Sequence, residues 1–132
     1  MKRQEIYKEI ENAWGMVPSQ FKTISDAYLE FEWRLTKLIQ TAPGPIPQKY
    51  RALMGLTLAT VQRCRYGTFF HTEIARFNGA TDAEIFDAMS IARSSAGWSA
   101  YLNELNPDFE QFKTDVLSMV DQVRLQTARQ PY

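Results

Sequence analysis

The chain has 132 residues, a length that fits one domain with its own hydrophobic core. Its 15 basic and 15 acidic residues give a net charge of zero, and lysine and arginine never occur in runs longer than two. The sequence therefore lacks the basic surface of a protein that binds nucleic acid or an anionic membrane. We expect a single domain over residues 1–132 that binds neither.

The first two predicted helices follow from apolar residues that recur every three or four positions. The first covers about residues 3–14 and ends at Gly15. The second covers about residues 18–41, where the period continues through Phe21, Ile24 and Phe31. This pattern predicts one long helix with a single apolar face.

A proline-rich connector, APGPIP, separates the second and third helices, because proline lacks an amide donor and disfavours helix in the residue before it. The third helix is expected over about residues 47–65. Apolar residues occupy more than half of its circumference, which predicts a central helix that is buried on most sides.

Capping signals define the last three helices. The fourth covers about residues 66–78 and is closed by Gly79. A capping box of Thr81 and Glu84 begins the fifth, which runs to about residue 105. Asn106 is the expected N-cap of the sixth, with Pro107 as its first residue, and the chain is expected to fray from about residue 127. No segment alternates as a strand does, so we predict an all-α fold of six helices.

Cys64 and His71 are the only cysteine and the only histidine of the chain. One cysteine cannot form an intramolecular disulfide, and the two residues fall short of the three or four protein ligands of a zinc site. We expect no metal and no cofactor. The N-terminal segment mixes charged and apolar residues unlike a signal peptide, and no apolar run is long enough to span a membrane. We expect a cytoplasmic protein in a reducing compartment.

Two interpretations of Cys64 remain open at this stage. Arg63, Arg65 and a helix that begins near Tyr66 would favour the thiolate, which peroxide could oxidise and an external thiol could then reduce. Alternatively, Cys64 is a small buried apolar residue at the end of a core helix.

His71 also has two interpretations. It is the natural general acid or base of the chain, near Tyr66 and other aromatic residues, or a hydrogen-bonded core residue. On one helix its Cα would lie about 10 Å from that of Cys64, too far for direct contact. The position one turn before His71 is Gly67, so we expect an empty slot there, facing a cavity. A second glycine, Gly97, is expected to let another helix approach closely.

Residues 51–97, RALMGLTLATVQRCRYGTFFHTEIARFNGATDAEIFDAMSIARSSAG, resemble the carboxymuconolactone decarboxylase family, which includes the alkylhydroperoxidase D-like proteins. The specific feature is a histidine seven residues after a cysteine that ends an apolar helix. The resemblance implies a helical bundle of the alkylhydroperoxidase D-like type, assembly into trimers or hexamers, and a pocket for a small-molecule substrate near a subunit interface.

The sequence departs from the hydroperoxidase branch of this family at two positions. That branch has a second cysteine three residues after the first and a glutamate twelve residues before it. Gly67 and Ala52 stand at these positions here. A dithiol cycle within the chain is therefore impossible.

Three functions are consistent with these residues. The first is cofactor-free acid–base chemistry on a small organic acid or lactone, with His71 as acid and base and with Arg65 or Arg63, and Tyr66, binding the substrate. The second is an antioxidant reduction of hydroperoxides by Cys64 with an external thiol. The third is a non-catalytic oligomeric protein that binds a ligand.

Overall fold

The computed structural model describes residues 2–129, which form α-helices and no strands. The all-α prediction is confirmed, but these residues form seven helices instead of six. The helices are α1 (Arg3–Trp14), α2 (Ser19–Lys22), α3 (Asp26–Gln40), α4 (Gln48–Gln62), α5 (Arg65–Phe77), α6 (Asp82–Leu105) and α7 (Phe109–Ala128).

The prediction of one long second helix is wrong, because the helix is interrupted between the end of α2 and the start of α3. Ser25 adopts an extended conformation (φ −66°, ψ 154°) as the N-cap of α3. The guanidinium of Arg3 in α1 donates hydrogen bonds to the carbonyl oxygen of Ile24 and to the carboxylate of Asp26. Arg3 thus satisfies a backbone group that the break leaves free, and it ties α1 to the start of α3.

The predicted start of the last helix is also wrong. Asn106 ends α6 in the left-handed conformation (φ 49°), with its N–H donating to the carbonyl of Leu102 at 2.8 Å. The N-cap of α7 is Asp108, whose carboxylate accepts the N–H of Gln111 at 2.9 Å. Asparagine tolerates left-handed backbone, so the same residue type can end a helix as well as begin one.

A first hydrophobic cluster joins α1, α2 and α3. The ring of Trp33 meets Trp14 and Phe21 edge to face, with ring centroids 5.0 and 6.0 Å apart. Its indole N–H donates to the carboxylate of Glu9 at 2.9 Å, so the buried donor is satisfied. The fully or nearly fully buried members are Ile6, Ile10, Val17, Phe21, Leu29 and Trp33.

A second cluster joins α4, α5 and α6, and α4 packs against both of the others. Its buried members are Ala52, Leu56, Ala75, Ala80, Ile85 and Ala88. Alanine is small, so the helix backbones can approach closely. The central position of α4 is confirmed, but the expectation that it is buried on most sides is wrong. Met54, Leu58 and Val61 form an open face of α4, each more than half exposed.

Arg51 links the connector to α4. Its guanidinium donates to the carbonyl oxygens of Ile39 at 2.9 Å and Ile46 at 2.8 Å, and to that of Leu38 at 3.2 Å. A Cβ at Gly44 would collide with this guanidinium. The end of α3 and the proline-rich segment are therefore held against the first turn of α4.

None of the helices within residues 2–129 combines the length and the apolar character needed to cross a membrane. The same residues contain no group of three or more histidine, cysteine, aspartate or glutamate side chains that could hold a metal ion.

Candidate functional site

A two-residue turn between α4 and α5 positions the thiol of Cys64. Arg63 adopts the left-handed conformation (φ 54°) and ends α4, and Cys64 is extended (φ −93°, ψ 104°). The Cys64 N–H donates to the carbonyl of Ala59 at 2.9 Å. The turn reverses the chain, so that α5 begins directly after the cysteine and packs along α4.

The thiol of Cys64 caps the N-terminus of α5. Its Sγ accepts the backbone N–H of Gly67 at 3.3 Å, and the residue is partly buried. An N–H donor and the positive end of the helix dipole both stabilise a sulfur that carries negative charge. The expected helix N-terminus beside Cys64 is confirmed.

Cys64 lies in an open cleft of about 640 Å³ along one side of α5. Three arginines and three threonines share the cleft with it. The full lining is Ala59, Thr60, Arg63, Cys64, Arg65, Thr68, Phe69, Thr72, Glu73, Arg76 and Met89.

Positive charge is concentrated at the end of the cleft that holds the thiol. Within residues 2–129, neither Arg63 nor Arg65 forms an ion pair with a carboxylate. Arg65 stacks on the ring of Tyr66 at 5.2 Å from its centroid and donates to its hydroxyl at 3.3 Å. Tyr66 itself is 74% exposed and does not line the cleft. The unpaired guanidinium groups make this end of the cleft attractive to an anion.

The far end of the cleft has no unpaired positive charge, because its one arginine faces two carboxylates. Arg76 pairs with Glu73 at 3.2 Å and with Asp82 at 3.4 Å. A negatively charged group is therefore drawn toward Cys64 and not toward the far end of α5.

His71 does not line the cleft that contains Cys64. Its ring packs over Gly55 of α4, where a Cβ would lie only 2.7 Å from the imidazole Cγ. Phe70 contacts the ring edge to face, with centroids 5.2 Å apart. Nδ1 is buried and has no hydrogen-bond partner among residues 2–129. The imidazole and the thiol therefore do not act on one another directly.

The expectation of an empty slot at Gly67 is wrong. A Cβ there would lie 3.0 Å from the Cβ of Ala59 and 3.6 Å from the Sγ of Cys64. The methyl group of Ala59, from the facing helix, already fills this space. Apart from the neighbouring residues and the backbone of its own helix, no atom of residues 2–129 lies within 4 Å of a Cβ built at Gly97, so the close approach of another helix expected there is absent within the described chain.

Ala52, which stands where hydroperoxidases of the family carry glutamate, is 3% exposed and lies in the second hydrophobic cluster. It precedes Gly55 by one turn of α4, on the side that faces α5. A methyl group cannot accept a hydrogen bond, so the side chain at position 52 offers His71 no partner.

Sequence analysis did not identify the threonines of the cleft. Cys64, Thr68, Thr72 and Arg76 recur every four residues, so they lie along one face of α5. This spacing is a visible signal of a polar stripe, and it extends the site by three turns beyond the cysteine.

Burial lowers the pKa of His71 below its usual value near 6.5. The unfolded chain therefore binds a proton more readily than the folded one. The contribution of neutral His71 to stability is complete above about pH 6.5 and is lost as the pH falls toward the lower pKa of the folded state.

We expect the free energy of unfolding to fall between about pH 7.5 and pH 5 in the wild type and not in His71→Gln. A hydrogen bond from Lys37 lowers the pKa of Glu9, and one from Lys49 lowers the pKa of Glu84. The two glutamates therefore lose their contributions to the free energy of unfolding only below about pH 4.5. Urea unfolding across this pH range checks the expectation. Equal pH slopes for the two proteins would contradict it.

Comparison with known proteins gives the fold first and then the family. The structure resembles the crystal structure of the alkylhydroperoxidase AhpD core from Rhodospirillum rubrum, with a TM-score of 0.71 and 23% sequence identity over 83% of this chain and 84% of that one. The model of the carboxymuconolactone decarboxylase family matches residues 24–106. The chain belongs to this family, as its sequence indicated. None of the curated proteins compared matches it.

Proposed function

We propose that the chain reduces small hydroperoxides through Cys64 and draws its electrons from an external low-molecular-weight thiol. The observation that carries the proposal is the sulfur itself. It accepts a backbone N–H at a helix N-terminus, in an open cleft beside two arginines that have no carboxylate partner within residues 2–129. Partly exposed cysteines in electropositive surroundings are the reactive ones.

The reaction is balanced without a second protein thiol. The Cys64 thiolate attacks the distal oxygen of ROOH; the O–O bond breaks, the sulfur becomes a sulfenate and the alcohol ROH leaves. An external thiol then attacks the sulfur, forms a mixed disulfide and releases water. A second external thiol releases Cys64 and forms RSSR. A reducing cytoplasm would supply such thiols.

The charge of the cleft favours an anionic reaction partner. Arg63 and Arg65 flank the thiol, and a guanidinium binds a carboxylate through two parallel hydrogen bonds. Thr68 adds a hydroxyl along the same wall. We therefore propose a carboxylate-bearing hydroperoxide or thiol as the preferred partner.

The test is peroxide consumption in the presence of external thiol. We expect Cys64→Ser to reduce it to the uncatalysed rate and His71→Gln, outside the cleft, to leave it unchanged. Wild-type protein with no activity above background, or full activity in Cys64→Ser, would overturn the proposal.

A second candidate function uses His71, and the buried Nδ1 without a partner is the observation that favours it. A neutral imidazole can take a proton from a substrate acid or lactone and return it to the product. If this function operates, turnover of a carboxylate-bearing lactone falls about a hundredfold or more in His71→Gln and is unchanged in Cys64→Ser. The two variants therefore distinguish the two functions.

A further inference from the structure

The cleft at Cys64 is larger than a small hydroperoxide and a simple thiol need. Its volume is about 640 Å³, the size of pockets that bind drug-sized ligands. A two-carbon thiol would leave most of this space unfilled. Ala59 of α4 and Met89 of α6 line the cleft together with α5, so three helices bound it. The cleft therefore has room for a longer reaction partner.

The charge of the cleft changes sign along α5. Within residues 2–129, neither Arg63 nor Arg65 at the thiol end pairs with a carboxylate. At the other end, Arg76 is the one cation between Glu73 at 3.2 Å and Asp82 at 3.4 Å. One guanidinium and two carboxylates leave this group with a net negative charge. The thiol end therefore attracts an anionic group and the far end a cationic one.

The distance between the two ends fits a short peptide. Arg65 and Glu73 are eight residues apart on α5, which corresponds to about 12 Å along the helix axis. An extended peptide spans at most about 3.3–3.6 Å per residue, so three residues reach about 10 Å from ammonium to carboxylate. The arginine and glutamate side chains are long enough to cover the difference. A single amino acid carries both charges on one carbon and cannot reach both ends.

The wall between the two ends offers hydroxyl groups to a ligand. Thr68 and Thr72 are half-buried and lie one turn apart in the cleft. Within residues 2–129, neither hydroxyl forms a hydrogen bond. The hydroxyls of Thr57 and Thr60 in α4, in contrast, donate to carbonyl oxygens of their own helix at 2.6 and 2.8 Å. A hydroxyl both donates and accepts, so Thr68 and Thr72 can bind the amide groups of a peptide that lies along α5.

We propose that the external thiol used at Cys64 is a zwitterionic peptide thiol of about three residues. Its carboxylate binds Arg63 and Arg65, its ammonium binds Glu73, and its cysteine lies beside the carboxylate, facing Cys64. The inference rests on the proposed function and adds the chemical class of the reductant.

The redox step is balanced with this reductant. The peptide thiol attacks the sulfur of the Cys64 sulfenic acid; the S–O bond breaks, an S–S bond forms and water leaves with the thiol proton. A second peptide thiol then attacks the mixed disulfide, releases the oxidised peptide as its disulfide and restores the Cys64 thiolate.

The test compares two thiols that differ only in the ammonium group. The probes are glycyl-cysteinyl-glycine and its N-acetyl derivative, which keeps the thiol and the carboxylate. In peroxide consumption by the wild type, kcat/KM should be about fivefold higher for the free peptide, the upper range for an exposed ion pair. Glu73→Gln should remove this difference by lowering the value for the free peptide alone. Glu104→Gln is the matched control, an exposed glutamate of α6 outside the cleft, and should keep the difference.

Binding without turnover separates this inference from the proposed function. The S-methylated free peptide cannot reduce Cys64, and calorimetry should show it binding about fivefold more weakly to Glu73→Gln than to the wild type. If no thiol supports peroxide consumption, the proposed function fails, and the assignment of a reductant fails with it, even where this peptide binds. If the wild type uses both peptides equally, or if Glu73→Gln binds the S-methylated peptide as the wild type does, the peptide assignment alone is overturned.

Discussion

Gly55→Ala is expected to lower the free energy of unfolding by about 1–3 kcal/mol, the range for adding a methyl group to a filled core. In an open helix this change would stabilise by up to about 1 kcal/mol, because alanine has the higher helix propensity. Here the new Cβ would lie 2.7 Å from the imidazole Cγ of His71. Cγ is bonded to the His71 Cβ, so rotation of the ring alone does not relieve the contact, and either the whole side chain must leave its position over Gly55 or α4 and α5 must move apart.

A double-mutant cycle isolates this contact, with denaturant unfolding as the measurement. In the background of His71→Ala the ring is gone, and we expect Gly55→Ala to become neutral or stabilising. Gly97→Ala is the matched control, because a Cβ there meets no atom of another helix of the described chain within 4 Å. It should leave stability unchanged or raise it by up to about 1 kcal/mol. Equal effects of Gly55→Ala with and without His71 would contradict the packing described.

Gly67→Cys is expected to convert Cys64 from a single thiol into half of a disulfide. The new Cβ would lie 3.6 Å from the Sγ of Cys64, close enough for an S–S bond after a small rotation of the side chain. When peroxide oxidises Cys64, the thiol at position 67 attacks the sulfenate and water leaves. One equivalent of peroxide should remove both free thiols, with the loss of two hydrogen atoms in the intact mass.

The new side chain at position 67 has one unfavourable contact, because the Cβ of Ala59 is 3.0 Å away and must yield by a few tenths of an ångström. Thr72→Cys is the matched control. It adds a thiol to the same cleft, eight residues along α5 from Cys64 and thus about 12 Å away. That thiol should survive one equivalent of peroxide. The expectation is contradicted if both thiols of Gly67→Cys remain free, or if each is oxidised separately, because the two sulfur atoms then do not come into contact.

Sequence patterns predicted most of the helices because local signals define them. The capping box of Thr81 and Glu84 forms as expected, with each side chain accepting the other's backbone N–H at 3.1 Å. The break at Ser25 was missed because the apolar period continues through it, and periodicity does not record a change of backbone conformation. Its stabilisation depends on Arg3, 22 residues earlier in the chain, which no local pattern reveals.

The candidate site was predictable only as far as it lies on one helix. The position of Cys64 at a helix start follows from its neighbours in sequence. The filling of the space at Gly67 by Ala59, and the packing of His71 over Gly55, depend on how α4 and α5 pack together. Single-sequence periodicity gives the face of each helix but not the register between two of them.

The left-handed backbone of Arg63 creates a conflict between two properties of the cleft, a turn with little backbone strain and a positive charge beside the thiol. A side chain with a Cβ is strained in this conformation, and glycine would adopt it more easily. Glycine would also remove the guanidinium that draws an anion toward the thiol. One residue at position 63 therefore cannot both relieve the backbone strain of this turn and attract a carboxylate, and any variant of the turn is a compromise between the two.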